Sequence, residues 1–290
     1  MRADASGAGS GFLSAMAEAS AARAEAARRA TSTAVLEARV RARGAAGDVP
    51  PALRLSPAGF DLIAEVKFAS PSRGELTATP SAAAAAARAA QYAAGGAAAI
   101  SVLTEPTCFG GALDHLRAAA GAVGVPVLRK DFLVDPHQIW EARDAGAGGV
   151  LLIVRMLDDE ALAAMVEAAR AAQLFVLLEA FDAADLARIA AYLALPRPSG
   201  GPPVLVGVNG RDLATLEVDP ERCRDLAPAL PSGVPAVAES GLATPADAAR
   251  VARAGYRLAL VGTSLMAAPE PAESVRGLLA AGRRAVEERA

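Results

Sequence analysis

The chain has 290 residues and a formal net charge of −3, which gives no electrostatic reason to expect nucleic acid or an anionic membrane as a partner. Its two cysteines, Cys108 and Cys223, lie far apart without metal-ligand spacing, and its two histidines, His115 and His137, are a poor basis for a metal site. The stretch MRADASGAGS lacks the apolar core of a secretion signal, and no run approaches the ~20 apolar residues of a membrane span. The expectation is a soluble, cytoplasmic protein with reduced thiols.

In chain order, residues 1–10 read as a disordered tail, and residues 11–58 as a helical extension packed on the remainder of the chain. From Phe12 to Arg43 the chain is rich in Ala, Glu and Arg without an internal Pro or Gly, which predicts helix. Phe12, Leu13, Met16, Val35 and Leu36 are its sparse apolar anchors. The turn-rich loop GAAGDVPPALRLSPAG leads out of it.

Residues 59–290 then repeat one pattern. Short apolar runs recur at Leu62–Val66, Ala98–Leu103, Val125–Leu128, Gly149–Val154, Phe175–Leu178, Val204–Val208, Ala236–Ala238 and Leu258–Val261. Helical stretches separate them at roughly 25 to 35 residues, the length of a βα unit. The runs lack apolar/polar alternation, as expected of parallel strands buried on both faces. Eight such units in roughly 230 residues predict an α/β fold, a (β/α)8 TIM barrel with an N-terminal helical extension. A doubly wound open sheet is the runner-up, but ASPSRG after the first run is not the dinucleotide fingerprint G-x-G-x-x-G. The Pro/Gly-rich segment LPRPSGGPP, Leu195–Pro203, is expected to be a surface loop on the N-terminal face, away from chemistry.

In such a barrel the active site lies at the C-terminal ends of the strands. The polar residues there are Glu65, Lys67 and Ser70 after the first run; Arg129, Lys130 and Asp131 after the third; and Glu179 after the fifth. Asn209 and Arg211 close the sixth, Glu239, Ser240 and Gly241 the seventh, and Gly262, Thr263 and Ser264 the eighth. Taken singly, each has a structural reading: an ion pair for Glu65 and Lys67, a capping carboxylate for Glu179, a solvated rim lysine for Lys130. Jointly, two lysines and three carboxylates converge on one mouth, and such a cluster is costly unless a ligand or mutual pairing compensates. The mixture suits acid–base chemistry. AESGL and VGTSLM place Gly beside small hydroxyl residues after strands seven and eight, where barrels commonly bind phosphate; Gly-Ser turns that only cap helices are the alternative.

At these residues the chain resembles indole-3-glycerol-phosphate synthase, the tryptophan-pathway enzyme. The resemblance rests on IAEVKFASPSRG, ISVLTEPTCFGG, VPVLRKDFLVDPHQIWEARDAGAGGVLLIV, VGVNGRDLATLEVD, AVAESG and LVGTSLM, spanning Ile63 to Met266. It implies a carbon–carbon lyase (a carboxy-lyase) that acts without cofactor or metal on one small phosphorylated substrate. The reaction is ring closure, decarboxylation and dehydration of 1-(2-carboxyphenylamino)-1-deoxyribulose 5-phosphate. By position, the resemblance makes Lys130 the general acid, Glu179 a base or stabiliser of the cationic intermediate, and Lys67 with Glu65 the pair for dehydration. Asn209 and Ser240 would orient substrate hydroxyls or Glu179, with Glu239 completing the polar floor. Ser70, Gly241, Gly262 and Thr263 would hold phosphate, and Arg211 would also bind substrate. Phe109, Phe132, Leu151, Ile153 and Leu213 would wall the anthranilate ring, and the extension would lie over the mouth. A monomer or weak homo-oligomer is expected.

The chain departs from the family pattern at Phe68, where a basic residue is common; at Gly210, where Asn or Ser is usual; and at Ala180 and Phe181 after Glu179. Phe68 is expected to alter charge around the substrate and Gly210 to loosen the loop holding Asn209 and Arg211. These departures leave room for a ring-modified substrate. The competing readings are the isomerase of the preceding step, which would need a Cys or Asp acid/base pair, and a non-catalytic phosphate-ligand binder.

Overall fold

The structure, a computed structural model, describes residues 6–70, 74–76, 79–196, 200–212 and 217–289. Eight strands form the barrel: β1 (Asp61–Val66), β2 (Ala99–Leu103), β3 (Val127–Lys130), β4 (Gly149–Ile153), β5 (Phe175–Ala180), β6 (Val204–Asn209), β7 (Ala236–Glu239) and β8 (Leu258–Val261). All pair in parallel with their neighbours in the chain, and β8 closes on β1 through Asp61↔Leu258 and Ile63↔Leu260. This is the expected (β/α)8 barrel.

The strands read as continuous apolar runs because each feeds two cores at once. On β1, Leu62, Ala64 and Val66 pack outward against the helices, while Ile63 points into the barrel. Inside, Ile63, Leu128, Leu151, Phe175, Leu177, Leu205, Val237 and Leu258 fill the lower and middle layers. Space there is tight enough that a Cβ at Gly149 would collide with the Phe175 ring. The helices between strands start on polar caps: Asp135 and Thr244 form capping boxes with Gln138 and Asp247, and Ser81, Asp158 and Asp182 accept from the first turn.

One strand differs from the sequence reading in a way that matters. The third, expected at Val125–Leu128, runs over Val127–Lys130. Pro126 has no N–H to give the ladder, so pairing starts after it. Arg129 and Lys130 therefore lie inside the strand and face opposite ways. Lys130 enters the barrel mouth. Arg129 turns outward and is buried, bonded to Glu141 at 2.7 Å, the Gln138 carbonyl at 3.0 Å and Thr104 Oγ1 at 3.2 Å.

The extension is two helices, not one uninterrupted stretch. Helix α1 (Ser6–Ala30) ends before Thr31, and Ser32 caps α2 (Thr33–Ala45), its side chain accepting from the Val35 amide. The helix thus begins inside the segment read as a tail, at Ser6. Leu13 and Ala24 of α1 are buried, Phe12 meets Phe132 edge-on at 5.9 Å, Arg23 pairs with Asp131 at 2.9 Å, and Gln138 donates to Ser20 Oγ. Helix α2 buries Leu36 and Val40 and contacts the helix Pro136–Asp144, with Thr33 Oγ1 2.9 Å from His137 Nδ1. Phe12, Arg23 and Ser20 thereby set α1 beside the end of β3.

At the opposite face, Asp61 accepts from the Ser56 amide at 2.8 Å and pairs with Arg257 at 3.0 Å and Arg283 at 3.2 Å. Pro203, at the end of the Pro/Gly-rich segment, accepts from the Val176 amide near the start of β5, so this loop joins the N-terminal face as expected; residues 197–199 lie outside the described residues. Phe60, fully buried, plugs this end against the last helix, Pro271–Glu287. A Cβ at Gly282 of that helix would collide with the Phe60 ring. Gly282→Ala should overpack this contact and cost about 1–3 kcal/mol. Thermal unfolding checks this, and an unchanged Tm would show that the last helix yields there.

Candidate active site

A cavity of about 410 Å³ opens above the C-terminal ends of the strands. It collects fifteen of the seventeen residues that the resemblance assigns to the site: Glu65, Lys67, Ser70, Phe109, Lys130, Phe132, Ile153, Glu179, Asn209, Arg211, Glu239, Ser240, Gly241, Gly262 and Thr263, and with them Asp131 and Ser264 from the strand ends. Leu151 is a correction. It is fully buried in the apolar layer below and does not line the cavity, because Ile153, two residues further along the same face of β4, occupies the rim. Leu213 lies outside the described residues.

The floor is a ring of charge. Glu65, Glu179 and Glu239 are each no more than 3% exposed, so any of them that is ionised needs its charge balanced locally. Lys67 Nζ sits 2.8 Å from Glu65 Oε1. Lys130 Nζ lies between two carboxylates, 3.5 Å from Glu179 and 3.6 Å from Glu239. Burial alone would lower the Lys130 ammonium, but Glu179, Glu239 and Glu65 together outweigh it and hold the group above its ordinary value. Asn209 donates its side-chain amide to Glu179 Oε1 and accepts from the Arg211 amide at 2.9 Å. Lys130 and Asn209 thus meet at one oxygen of Glu179, Oε1.

Glu239 is the exception. Neither of its oxygens has a hydrogen-bond partner among the described residues. Burial, and then the charge of Glu179, push its carboxyl up to about 8, with Lys130 only partly offsetting them. Two glycines make room for this floor. A Cβ at Gly207 would collide with Glu239 Oε1, and one at Gly262 with Glu65 Oε1. Gly207 stands in mid-strand on the inward face, a position that marks close approach of another group.

One wall is polar. The Ser70 hydroxyl is buried without a partner among the described residues. It is placed by a two-residue antiparallel pairing of Ala69–Ser70 with Gly74–Glu75. Ser240 and Gly241 adopt left-handed backbone, with φ of 64° and 72°. Such backbone is uncommon for a residue with a side chain. A short helix, Thr263–Ala267, begins at the end of β8 and leaves its first amides without intrahelical partners.

The other wall is apolar, built from Phe109, Phe132 and Ile153 with Phe12 of α1 and Phe181. Phe109 is positioned by Glu105, whose carboxylate caps the turn Pro106–Phe109 by accepting from the Thr107, Cys108 and Phe109 amides. Phe12 and Phe181 are site residues that the sequence reading misses. Phe181 carries a signal, since it follows Glu179 by two residues and shares its face. Phe12 carries none beyond being an apolar anchor in a polar helix.

Two family departures matter less than expected. Phe68 faces away from the cavity and packs edge-on against buried His115 at 4.9 Å, so it leaves the charge of the site untouched. Gly210 does not loosen its loop, because its N–H bonds the Glu239 carbonyl at 2.8 Å and its carbonyl accepts from the Asp219 amide at 2.9 Å. Among the described residues, no group of three or more His, Cys, Asp or Glu is placed to hold a metal ion, and no helix is long and apolar enough to cross a membrane.

A closed parallel barrel with acids and bases gathered above its strand ends defines the chain as a (β/α)8-barrel enzyme. The comparisons narrow that class. A family model described as indole-3-glycerol phosphate synthase matches residues 13–278. The indole-3-glycerol phosphate synthase of Kineococcus radiotolerans is 45% identical over 224 residues, covering 77% of each chain. That of Mycolicibacterium gilvum is 42% identical over 260 residues, covering 90% of this chain and 91% of the relative. The chain belongs to the indole-3-glycerol phosphate synthase family. Among solved structures, 3-hexulose-6-phosphate synthase from Salmonella typhimurium aligns with a TM-score of 0.58 at 16% identity, covering 79% of this chain and all of that one. Orotidine 5'-phosphate decarboxylase from Pyrococcus horikoshii aligns at 0.55 and 17%, covering 77% and 99%. At such identity these two speak for the fold alone.

Gly207→Ala should destabilise by about 1–3 kcal/mol, and pairing it with Glu239→Ala should recover most of that loss. Denaturant unfolding of the two single variants and the double measures the coupling; strict additivity would refute the contact. Glu239 also makes a pH prediction. Its folded value lies above the 4.5 of an ordinary glutamate. Its contribution to stability is therefore complete below the unfolded value and is lost as pH rises through the folded one. The stability of Glu239→Gln relative to the parent protein should rise with pH across this window, read from denaturation midpoints.

Proposed function

We propose that the cavity converts 1-(2-carboxyphenylamino)-1-deoxyribulose 5-phosphate into indole-3-glycerol phosphate, releasing CO2 and water, with the chain's own side chains as the only catalysts. The observation that carries this reading is Lys130, an ammonium held between Glu179 and Glu239 in a cavity that also gathers Ser70, Gly241 and Thr263 with Phe109, Phe132 and Ile153. A substrate with a phosphate at one end, an aryl ring at the other and a carbonyl between them calls for these three kinds of lining.

Ring closure forms a bond from the aromatic carbon to the ribulose carbonyl carbon and develops negative charge on the carbonyl oxygen. Lys130 supplies the proton there, as the barrier falls when a positioned donor meets developing charge. The attacked ring becomes cationic, and Glu179, oriented by Asn209, stabilises it. Loss of CO2 leaves its electron pair in the ring and restores aromaticity, which the apolar surround of Phe109, Phe132 and Ile153 assists by excluding water. Dehydration then needs a proton on the leaving hydroxyl and a base for the proton that is lost. Lys67, paired with Glu65, serves as that donor, and Glu179 or Glu65 as base. Ser70, Gly241, Gly262 and Thr263 hold the phosphate, with Ser240, Glu239 and Arg211 positioning the polar middle of the substrate.

The isomerase reading finds no support in the placement of the thiols. Cys108 does not line the cavity, and Cys223 is buried with its sulfur 3.6 Å from the Val208 carbonyl. The one-substrate assay tests the proposal: purified protein alone should generate a fluorescent indole product. Lys130→Ala should lower kcat by about 100-fold or more. Near-parental turnover by this variant would overturn its role. Ser70→Ala should raise KM several-fold with kcat nearly held, and a lowered kcat at unchanged KM would remove Ser70 from phosphate binding.

A further inference from the structure

We propose that Phe181 determines which aromatic rings the cavity accepts, and that Arg155 fixes it in place from behind. The inference deepens the reading of the site given above and rests on it.

The residue sits where ring selection would operate. Phe181 follows the inward-facing Glu179 by two residues, so one strand end delivers a charged group to the floor and an aromatic ring to the wall above it. Phe181 is 5% exposed and joins Phe132 and Ile153 in the apolar lining.

What distinguishes Phe181 from the other aromatic lining residues is its backing. The Arg155 guanidinium carbon lies 4.7 Å from the centroid of the Phe181 ring, over its face. A cation in this position is attracted by the ring's electron-rich face. Arg155 is itself clamped. Its Nε and Nη2 bond Asp185 Oδ2 at 2.9 and 2.6 Å, and Nη2 also bonds Asp182 Oδ2 at 2.6 Å. The same Asp185 oxygen accepts from the Phe181 amide at 2.9 Å. Backbone, ring and cation are thus tied to one buried carboxylate. Withdrawing the ring toward Arg155 would mean breaking charge-assisted bonds to two aspartates.

A wall backed in this way does not yield to a substituent as a flexible side chain would. It rejects aryl rings that carry an added group on that side. Phe181 is thus a specificity-determining residue, and Arg155 a positioning residue that acts through it. Arg155 does not line the cavity.

The test compares kcat/KM for the parent substrate and for its four ring-methylated analogues, made from the corresponding methylanthranilic acids. The native protein should reject at least one isomer by about ten-fold or more. Phe181→Val should bring that isomer to within about three-fold of the parent compound. Arg155→Met, which leaves the lining intact, should move the same ratio in the same direction by a smaller factor. The double variant should add little to Phe181→Val. A ratio unchanged in both single variants, even with lower activity on the parent substrate, would overturn the inference, as would a native protein indifferent to all four isomers. Should Phe181→Val fail to fold, Phe181→Leu and Arg155→Met carry the same comparison. A native protein inactive on the parent substrate would instead reject the underlying functional reading, so the two failures are distinct.

Discussion

The site depends on one electrostatic arrangement, an ammonium shared by two buried carboxylates. Lys130 lies 3.5 Å from Glu179 and 3.6 Å from Glu239, and neither acid retains more than 1% of its surface. A buried ammonium without these acids would carry an uncompensated charge, which is costly. Much of the surrounding chain serves this balance. Asn209 holds Glu179, Gly207 leaves space for Glu239, and Gly262 does the same for Glu65, which Lys67 neutralises. Arg129, one residue before Lys130, is turned to the outer shell and given its own acids, so its charge does not enter the ring.

The same arrangement separates two kinds of residue along each strand. Lower positions are apolar and fill the barrel, as Phe175, Leu177 and Leu205 do. On β1, β3, β5, β6 and β7 the upper inward positions, Glu65, Lys130, Glu179, Asn209 and Glu239, are polar and surround a cavity. The change occurs within two residues on β5, from Leu177 to Glu179, and on β7, from Val237 to Glu239. The charged ring of the cavity therefore rests on apolar packing, which keeps water from reaching it from beneath.

Much of this is legible in sequence because a parallel barrel couples hydrophobic runs to chemistry. Each run ends where the mouth begins, so reading the polar residues after VLL or PAVA locates the site. What is not legible depends on contacts between distant segments. Leu151 and Ile153 look alike in sequence, and only the depth of the apolar filling decides which one reaches the cavity. Phe68 looks like a site residue because it adjoins Lys67, but it alternates to the helix side and meets His115. The shift of β3 is readable in principle from Pro126, whereas Phe12 reaches the cavity only because Arg23 and Ser20 anchor α1 beside β3. The break at Thr31 also escapes a reading by propensity, since Thr and Ser interrupt an Ala-rich helix only weakly; the capping role of Ser32 decides it.

The ties at Asp61 bear on how the protein is made. β1 is completed on one side by β8, and Asp61 at its start is bonded to Arg257 and Arg283. On a ribosome the first strand emerges roughly two hundred residues ahead of these partners, at roughly 5–20 residues per second. During that interval one edge of the growing sheet has no strand to pair with, and an open edge is a template for association with other chains. The last helix, carrying Arg283 and resting on Phe60, must emerge before the seam is locked. The barrel therefore becomes a closed object only once β8 and the helix Pro271–Glu287 have both emerged, and that helix acts as its latch.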